Sequence, residues 1–583
     1  MKAKERLSSV LSFTTIQTAS VIVDINNFFS NCAIVGNFQH ASPALQPVVN
    51  ALLFQCRSLG IQVENHSLMD AGTNLPLTFI TPDFESVECR FSFWSDSEQR
   101  AGCETTLQAA TGLMSVHGRA TGKAQPIPLP YLSTVSATLA LQACLATALA
   151  RRRGLGISRS RVSMASAGLL CAGQYLAGAT TGEDAEEILP GHHDAGLRPP
   201  FRSADGVRFE LETLSADPWR RLCDALGLEP VEAGRGWQSF LQRYAKGICP
   251  LPERLHKRLA KLSFAQVTRI CSEAGVALCR QRTIEERARD SDVEELLQSG
   301  PWQLHPATPT DTPLPPPRGQ DLPLSGLTVV ESCRRIQGPM AGHLLSLLGA
   351  RVIRIEPPGG DPLRGMPPLV ADCSARFDAL NHHKEVIEID IKSAAGRAQL
   401  VELVSDAQVF LHNWAPGKAE ELGLDYRQLA AASPGLVYTH AGAWGQLDGA
   451  LDIPGTDFTV QAYSGLADLI GRTGGHGGGT LFTALDLLGG ILAAQGVLLG
   501  LLSRSFCHRG GEANTSLLGA ATLLGQPHLH ACRMDTPLLE PPLAKAYGNL
   551  VIENLRDLPQ QSHFNGGLHT DSYTRVTPPW RFS

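Results

Sequence analysis

The hydrophobic and polar positions in the second half of the chain follow two alternating periods. The apolar run LTVVES (residues 327–332) is followed by the helical pattern GPMAGHLLSLLGA and by a second apolar run, RVIRIE, which ends in PPGG. Further strand patterns lie at VIEIDI (386–391), AQVFLHN (407–413) and LVYTHAG (436–442), and a helical stretch separates the first two. Strands that alternate with helices predict βαβ units. We therefore expect an α/β, Rossmann-like doubly wound parallel sheet over residues 323–445.

The first half of the chain has a weaker pattern. Residues 201–228 predict a hairpin followed by a helix, which indicates a small α+β domain. In residues 1–100, VIVDI (22–26) and the later helical stretch NALLFQCRSLGIQV predict a degenerate βαβ unit. The proline-rich segment HPATPTDTPLPPPRGQDLPL (305–324) cannot continue a helix or a central strand, so we interpret it as an extended, semi-rigid linker.

One stretch of the sequence occurs twice. TLQAATGLMSVHG (residues 106–118) recurs as TVQAYSGLADLIG (459–471), and the offset of 353 positions continues without a gap to Ser163 and Ser516. So long a match predicts the duplication of a domain-sized unit, not a solenoid with repeats of roughly 20–50 residues. At this offset Asp486 corresponds to Ser133. The difference predicts one working site and one scaffold.

Composition narrows the function classes. A net charge of −6 gives no reason to expect a nucleic-acid partner. The most apolar segment, residues 485–502, contains Asp486 and several glycines, so we expect a buried core helix and no membrane span. The start of the chain lacks an apolar signal region, and the 14 cysteines form no CxxC pair, which predicts reduced thiols in a cytoplasmic protein. The paired histidines lack matching carboxylates or cysteines, so we predict no metal site.

Several runs together resemble one known family. LSGLTVVESCRRIQGPMAGHLLSLLGARVIRIEPPGGDPLRG, LNHHKEVIEIDIKSAAGR, HNWAPGKAEELGLDY and PGTDFTVQAYSGL stand in the order found in class III CoA-transferases, which include formyl-CoA and carnitine CoA-transferases and alpha-methylacyl-CoA racemases. PPWRFS at the end of the chain resembles the family's C-terminal segment. Family members form interlocked dimers. The resemblance therefore implies a fused pseudo-dimer within one chain, and pairing of two whole chains is left open.

The resemblance also sets the expected domains. Residues 1–195 are expected to form a degenerate copy of the large domain, and residues 196–304 the small α+β domain. After the linker, residues 305–322, a CoA-binding catalytic large domain is expected at residues 323–583.

The resemblance assigns roles to individual residues. Asp486, in FTALDLLGGILAAQG, takes the position of the family's catalytic aspartate, which attacks an acyl-CoA and carries CoA as an aspartyl thioester. The alternative is that Asp486 only caps the helix. The positions expected to contact CoA are Ile336, Gln337, Ile389, Lys392, Asn413 and Trp414. The implied partners are an acyl-CoA and a carboxylic acid acceptor, with CoA thioester as a substrate and no permanently bound cofactor.

Two departures from the family pattern keep other functions open. Thr456 stands where the racemases carry a histidine, and a threonine is not a general base near neutral pH without help. This disfavours an acyl-CoA racemase or isomerase. Glu421 stands where the family often has a basic residue that meets a CoA phosphate. Together with the eroded first copy, it favours the third hypothesis, a catalytically inert scaffold or binding protein.

Overall fold

The computed structural model describes residues 28–583 except 67–71, 84, 97–99, 183–196, 214, 308, 311, 320, 448–450, 452, 475–476 and 539–549. In the first copy (residues 28–182) the strands are β1 (Ala33–Gly36), β2 (Gln62–Asn65), β3 (Leu75–Ile80), β4 (Ser86–Ser92) and β5 (Arg159–Ser163). Its helices are α1 (Gln46–Ser58), α2 (Glu104–Ala110), α3 (Leu113–Gly118), α4 (Tyr131–Arg152) and α5 (Met164–Ala179).

The small domain (residues 197–280) follows the first copy. Its elements are β6 (Phe201–Arg202), β7 (Arg208–Glu212), α6 (Ala216–Ala225), α7 (Pro230–Lys246), α8 (Glu253–Leu259), α9 (Phe264–Ala274) and β8 (Ala277–Arg280). The three strands form an antiparallel sheet, β6-β7-β8, over its own apolar core. Next come α10 (Ile284–Arg287), α11 (Asp292–Ser299) and β9 (Trp302–Pro306). These belong to the predicted unit 196–304, but Ile284, Val293 and Trp302 pack in the main core.

The second copy (residues 323–533) contains the predicted parallel sheet. Its strands are β10 (Thr328–Ser332), β11 (Arg351–Glu356), β12 (Leu369–Val370), β13 (Cys373–Ser374), β14 (Glu385–Glu388), β15 (Val409–His412), β16 (Val437–Gly442) and β17 (Gly511–Ser516). Its helices are α12 (Gln337–Leu347), α13 (Ala375–Asn381), α14 (Ala394–Ser405), α15 (Lys418–Leu422), α16 (Tyr426–Ala432), α17 (Asp457–Tyr463), α18 (Leu466–Gly474), α19 (Ala484–Cys507) and α20 (Leu517–Arg533). The chain ends in β18 (Leu568–Thr570), β19 (Thr574–Val576) and β20 (Trp580–Phe582).

Successive apolar side chains of the parallel strands pack in two different cores, one on each face of the sheet. Its order is β14-β11-β10-β15-β16-β17-β9, and the six strands from β14 to β17 are parallel to one another. Val329 and Val352 lie in the main core, whereas Val330 and Ile353 lie in a second core with residues of α14 and α16. Successive side chains of a strand point to opposite faces, so such runs are apolar throughout. The prediction of an α/β parallel-sheet domain is confirmed.

The duplication is also confirmed in the element bounds. α2 begins at Glu104 and α17 at Asp457, α4 begins at Tyr131 and α19 at Ala484, and α5 begins at Met164 and α20 at Leu517. Each pair of first residues lies 353 positions apart, as the sequence match requires. The two long helices contact each other at equivalent places, because Tyr131 Oη donates to the Ala484 carbonyl at 3.0 Å. The two copies thus meet along α4 and α19.

The two copies exchange their last strands. β9, which follows the small domain, pairs antiparallel with β17 of the second copy and places Trp302 opposite Thr515. β20, at the end of the chain, pairs antiparallel with β5 of the first copy and places Trp580 opposite Val162. Each indole N–H donates to a long helix, Trp302 to the Leu492 carbonyl at 3.3 Å and Trp580 to the Leu139 carbonyl at 3.1 Å. The two halves of the chain are therefore interlocked, since each contributes a strand to the sheet of the other.

The first copy keeps only part of the large-domain sheet. Its order is β2-β1-β3-β4-β5-β20, in which β1 and β2 are parallel but β3 is antiparallel to both of its neighbours. Residues 66–74 join β2 to β3, whereas residues 357–408 join β11 to β15 in the second copy. The expected strand at residues 22–26 lies outside the described residues; the strand before α1 is β1. Among the residues that the structure describes, the first copy therefore has no counterpart of the part of the sheet around β14.

The core contains the segment that the sequence singled out as most apolar. α4 and α19 are long and apolar enough to cross a membrane, but their most apolar windows are 100% and 94% buried inside the fold. The linker runs along the surface of this core, where the Arg153 guanidinium donates to the carbonyls of Pro315, Pro323 and Ser325 at 2.7–2.9 Å. The two long apolar helices, α4 and α19, are thus buried where the two copies contact each other.

Candidate active site

Asp486 lies in the first turn of α19, at the buried junction of the second copy with the small domain. Its side chain is 9% exposed. The residue that caps this helix is Asp457, at the start of α17, whose Oδ2 accepts the backbone N–H of Leu485 at 2.7 Å and that of Asp486 at 2.8 Å. The alternative that Asp486 is itself the cap is therefore wrong, since Asp457 satisfies those donors.

A buried glutamine fixes the capping carboxylate. Gln461 Nε2 donates to Asp457 Oδ1 at 2.5 Å and to the Thr480 carbonyl at 3.1 Å, and Gln461 Oε1 accepts the Thr480 N–H at 3.0 Å. Burial raises the pKa of Asp457 to about 6, against the opposing effect of these hydrogen bonds. Asp457 thus places a carboxylate at the N-terminus of α19, where the helix dipole favours its ionised form.

The surroundings of Asp486 favour the protonated form of its carboxyl group. Burial raises the pKa of Asp486 well above its usual range, and the charges of Asp457 and Glu212 raise it further. The guanidinium of Arg335 acts in the opposite direction. A carboxyl group with a strongly shifted pKa in a cleft is typical of a functional position. Cations or donors brought by a ligand would favour its ionised form.

The small domain closes one side of this site with a buried polar cluster. Glu212 Oε2 accepts hydrogen bonds from Arg243 at 2.8 Å, from Thr456 Oγ1 at 2.7 Å and from the Tyr244 hydroxyl. Thr456, the residue in the position of the racemase histidine, also caps α17. Its hydroxyl therefore has a structural role, which leaves it poorly suited to proton transfer.

The residues expected to contact CoA follow the C-terminal ends of parallel strands. Ile336 and Gln337 come after β10, Ile389 and Lys392 after β14, and Asn413 and Trp414 after β15. Open α/β sheets bind ligands at this edge. The fold thus brings the six expected residues to one edge of the sheet.

Gln337 connects this edge to the helix of Asp486. Its Nε2 donates to the Gly442 carbonyl at 3.1 Å. It also packs on α19, where a Cβ added at Gly489 would lie 2.9 Å from Gln337 Nε2. The Gly-Gly pair after Asp486 is therefore explained by the close approach of α12. Ile336, 6% exposed, precedes Gln337 and lines a small cavity between the second copy and the small domain.

Asn413 and Trp414 hold the loop after β10. Asn413 Oδ1 accepts the Arg334 N–H at 2.9 Å, and its Nδ2 donates to the Arg334 carbonyl at 2.8 Å. This brace lies beside Arg335, whose φ of 67° is unusual for a residue with a side chain. Trp414 Nε1 donates to Ser332 Oγ at 3.2 Å. Asn413 thus fixes the conformation of the loop after β10 through both backbone groups of Arg334.

Ile389 and Lys392 differ in what they offer a ligand. Ile389 is 3% exposed and packs in the core under β14, so a ligand there would meet its backbone. Lys392 is exposed and lies just before α14, with its N–H bonded to Asp390 Oδ1 at 3.1 Å. Glu421, the residue that departs from the family pattern, pairs with Lys418 at 2.5 Å on the surface.

Sequence reasoning missed a buried ionic network beneath the same edge. Arg354 donates to Glu331 and Asp361 at 2.7 Å and to Glu356 at 3.1 Å, and Lys384 pairs with Glu331 at 2.7 Å. These groups tie β10 and β11 to the loop at residues 357–366. The arginine inside the apolar run RVIRIE was the available signal, because a charge in a buried strand requires partners.

The first copy repeats the cap without the candidate nucleophile. Glu104 accepts the N–H of Leu132 at 2.8 Å and that of Ser133 at 2.7 Å, and Gln108 donates to it at 2.8 Å. Ser133, which replaces Asp486, donates its hydroxyl to Glu104 at 2.6 Å and is fully buried. The described residues of the chain contain no group of His, Cys, Asp and Glu arranged to hold a metal ion.

Comparison with known proteins identifies the family. A model of CoA-transferase family III matches residues 89–316 and 324–549, so the chain belongs to that family, twice over. It is 34% identical over 227 residues to an acetyl-CoA:oxalate CoA-transferase of Acetobacter aceti, covering 38% of this chain and 57% of the relative. It is 32% identical over 200 residues to a succinyl-CoA:glutarate CoA-transferase of Mus musculus, covering 34% and 46%. The chain spans about half the length of the curated relatives it matches.

Two solved structures are similar to this chain over about a third of its length. A CAIB/BAIF family protein from Brucella suis has a TM-score of 0.34 and 28% identity, covering 37% of this chain and 59% of that one. A structure of Rv3272 from M. tuberculosis has a TM-score of 0.34 and 28% identity, covering 36% and 59%.

Proposed function

We propose that the chain is an acyl-CoA:carboxylate CoA-transferase that works through an aspartyl-CoA thioester on Asp486, with the first copy as its scaffold. The observation that carries this is the position of Asp486. It is the one buried carboxylate in the first turn of α19, the charge of Arg335 acts on it, and Gly489 one turn later packs against Gln337. The corresponding place in the first copy has only Ser133 bonded to Glu104.

The chemistry proceeds in four acyl transfers, in which a carboxylate and the CoA thiolate alternate as the nucleophile. An Asp486 oxygen attacks the thioester carbonyl, and the CoA thiolate leaves a mixed anhydride behind. The thiolate then attacks the aspartyl carbonyl, which gives aspartyl-CoA and releases the first acid. The acceptor carboxylate attacks aspartyl-CoA and expels the thiolate, which finally attacks the acceptor's acyl carbon. A new acyl-CoA leaves, and the Asp486 carboxylate is restored.

The surroundings of Asp486 support this sequence. The guanidinium of Arg335 favours negative charge at the carboxylate, and such a charge would also stabilise the oxyanion of each tetrahedral intermediate. The burial that raises the pKa of Asp486 also excludes the water that would hydrolyse an anhydride. Both compared relatives carry CoA-transferase names, which agrees with this reaction class. CoA is expected along Ile336, Gln337, Ile389, Lys392, Asn413 and Trp414.

The test is a transfer assay with a panel of acyl-CoA donors and carboxylic acid acceptors, in which Asp486→Asn is compared with Ser133→Ala. Asparagine keeps the shape of the side chain but not its nucleophilic oxygen, so turnover should fall by at least about 1,000-fold. Ser133→Ala, at the equivalent position, should change turnover by less than about twofold, since its hydroxyl only bonds Glu104.

The two variants also decide between this proposal and its alternatives. Full activity of Asp486→Asn would refute the assignment of Asp486 as the nucleophile. Equal losses of turnover in Asp486→Asn and Ser133→Ala, with both variants folded, would refute it as well. A wild-type chain that binds CoA but transfers to no acceptor would support the inert binding protein. Proton exchange at the α-carbon of an acyl-CoA, without transfer, would support the racemase.

A further inference from the structure

Residues of the first copy hold the entry segment, residues 480–483, which leads into α19. His117, in α3, shares a hydrogen bond of 2.7 Å between its Nδ1 and Thr480 Oγ1. Thr480 Oγ1 also accepts the Phe482 N–H at 3.0 Å, so its hydroxyl hydrogen can donate to the histidine. His117 is 3% exposed and Thr480 is 2% exposed. The two copies therefore meet here in a buried polar contact whose groups are bonded, as buried polar groups require.

Further hydrogen bonds connect Thr480 to the helix of the proposed nucleophile. The Thr480 N–H donates to Gln461 Oε1 at 3.0 Å, and the Thr480 carbonyl accepts from Gln461 Nε2 at 3.1 Å. Gln461 Nε2 also donates to Asp457 Oδ1 at 2.5 Å, and Asp457 Oδ2 accepts the Asp486 N–H at 2.8 Å. The contact with the first copy thus leads through Thr480 and Gln461 to the backbone of Asp486.

Tyr175, in α5, adds a second contact from the first copy. Its hydroxyl bonds Thr483 Oγ1 at 3.0 Å and accepts the Thr483 N–H at 3.2 Å. The entry segment is therefore held by the first copy at both of its ends, at Thr480 and at Thr483.

The equivalent segment of the first copy has apolar residues in place of the polar pair. At the offset of 353 positions Ile127 corresponds to Thr480, and Ile470 corresponds to His117. The bonds toward the cap are the same, because Gln108 exchanges hydrogen bonds of 2.8 and 3.1 Å with the backbone of Ile127. Ile127 and Ile470 are 2% and 3% exposed and lie in the main apolar core. The imidazole and the hydroxyl thus stand at the end of the pseudo-dimer that carries the proposed nucleophile.

Packing alone does not require a polar pair at this contact. The two isoleucines show that the same fold also accepts apolar side chains at these positions. A buried hydrogen bond is directional, so it fixes the entry segment in one position, whereas apolar contacts are non-directional. Position matters at a nucleophile, because a displacement of about 1 Å can lower a rate about 100-fold.

We propose that His117 is a positioning residue for the reaction at Asp486, because its bond to Thr480 fixes the entry segment and the start of α19 and so orients the attacking carboxylate. The inference rests on the proposed function and gives the first copy a part in the reaction, although Ser133 provides no nucleophile there. His117 acts through hydrogen bonds and not on the reacting atoms. Its loss should therefore lower the rate of the chemical step and spare the affinity for CoA.

Paired substitutions separate the hydrogen bond from packing. Thr480→Val removes the hydroxyl and keeps the shape of the side chain, whereas Thr480→Ser keeps the hydroxyl. His117→Leu removes the imidazole, whereas His117→Asn places an amide near the position of Nδ1. Thr134→Val is the matched control at the other end of the pseudo-dimer, since it removes a hydroxyl that bonds the Pro130 carbonyl at 2.8 Å in the first turn of α4.

The transfer assay measures kcat and the KM of the acyl-CoA donor for each variant. We expect Thr480→Val and His117→Leu each to lower kcat by about 10- to 100-fold and to change KM by less than about twofold. The double variant should be no slower than the slower single variant, because both changes remove the same bond. Thr480→Ser and His117→Asn should stay within about threefold of wild type, and Thr134→Val within about twofold.

Hydrogen exchange on the full chain reads the same contact without any turnover. The backbone N–H groups of residues 480–486 should exchange faster in Thr480→Val and His117→Leu than in wild type, because the start of α19 opens more often. They should exchange at the wild-type rate in Thr134→Val. Mass spectrometry of the peptides that cover these residues gives the comparison.

Wild-type kcat in both Thr480→Val and His117→Leu would overturn the inference and leave the transferase intact. An equal loss of kcat in Thr134→Val, a loss confined to KM, or no recovery in His117→Asn and Thr480→Ser would also overturn it. If exchange changes as expected and the wild-type chain transfers to no acceptor, the hold of His117 on the start of α19 stands and the transferase proposal fails. If exchange stays at the wild-type rate and no acid is transferred, both fail.

Discussion

The N-terminal ends of α4 and α19 show the same construction with different chemistry. In both copies a carboxylate from the preceding helix, Glu104 or Asp457, accepts two backbone N–H groups of the long helix, and a glutamine holds that carboxylate. The first copy adds the hydroxyl of Ser133 to the cap, which leaves no nucleophile. The second copy instead places Asp486 beside Asp457. The two copies thus share the cap of the long helix. They differ at one side chain, since Ser133 is bonded to the cap and Asp486 is the candidate nucleophile.

The surroundings of the two ends differ as much as the side chains do. The second copy has the sheet edge at β14, which the described residues of the first copy lack, whereas the small domain follows the first copy and covers the second. Phe458 and Leu481 of the second copy pack in the small domain's core. Each half therefore supplies a part that the other has lost, and the proposed single site needs both.

The exchanged strands allow a test of this interdependence. Trp302→Ala and Trp580→Ala each remove an indole that is 3% exposed and bonded to a long helix. Each should lower the free energy of unfolding by about 3–5 kcal/mol, measured by urea denaturation, because a large cavity opens in a core that cannot collapse. Both copies should still unfold in one transition, since each sheet contains a strand from the other.

Trp237→Ala is the control for these variants. Trp237 is only partly buried in the small domain's core and should cost less. Separate unfolding transitions for the two copies, or a negligible cost for either exchanged tryptophan, would contradict the interlocked arrangement.

A smaller effect concerns the pH dependence of transfer. The proposed nucleophile must be ionised, and burial raises the pKa of Asp486 well above its usual range, so kcat/KM should rise with pH through that raised value. Asp457→Asn removes a like charge that raises this pKa and should move the rising limb to lower pH. Arg335→Gln removes a charge that lowers it and should move the limb to higher pH.

The pH profiles are measured on the three proteins with acetyl-CoA and one monocarboxylic acceptor. Shifts of the two variants in the same direction, or profiles that do not change, would contradict the assignment of Asp486. Ser133→Ala should leave the profile of the wild type unchanged.

The sequence predicted most of the second copy because its strands are buried on both faces and its helices are periodic. RVIRIE forms β11 over the predicted residues, and the offset of 353 positions gave the equivalent helix starts. VIEIDI is a strand only to Glu388, because the chain turns at the sheet edge, where Asp390 bonds the Lys392 N–H. The pattern of apolar residues does not show where β14 stops pairing with β11, because that point depends on the end of β11.

The parts of the site that the sequence did not predict depend on long-range contacts. Asp457 was not recognised as the cap of α19, since its partners lie 28 and 29 residues away. Arg335 of the second copy meets Tyr244 of the small domain, 5.2 Å from the centre of its ring, only after the two parts have packed together. The antiparallel β3 in the first copy likewise follows from the loss of the long segment that its counterpart requires.

The most direct test of the central claim is to identify the residue that carries the covalent intermediate. The chain is incubated with an acyl-CoA donor without acceptor, trapped with hydroxylamine, digested and mapped by mass spectrometry. The account predicts a hydroxamate on Asp486 alone, absent from Asp486→Asn and retained in Ser133→Ala. A hydroxamate on Glu104 or another carboxylate, or rapid transfer without any trapped residue, would contradict it.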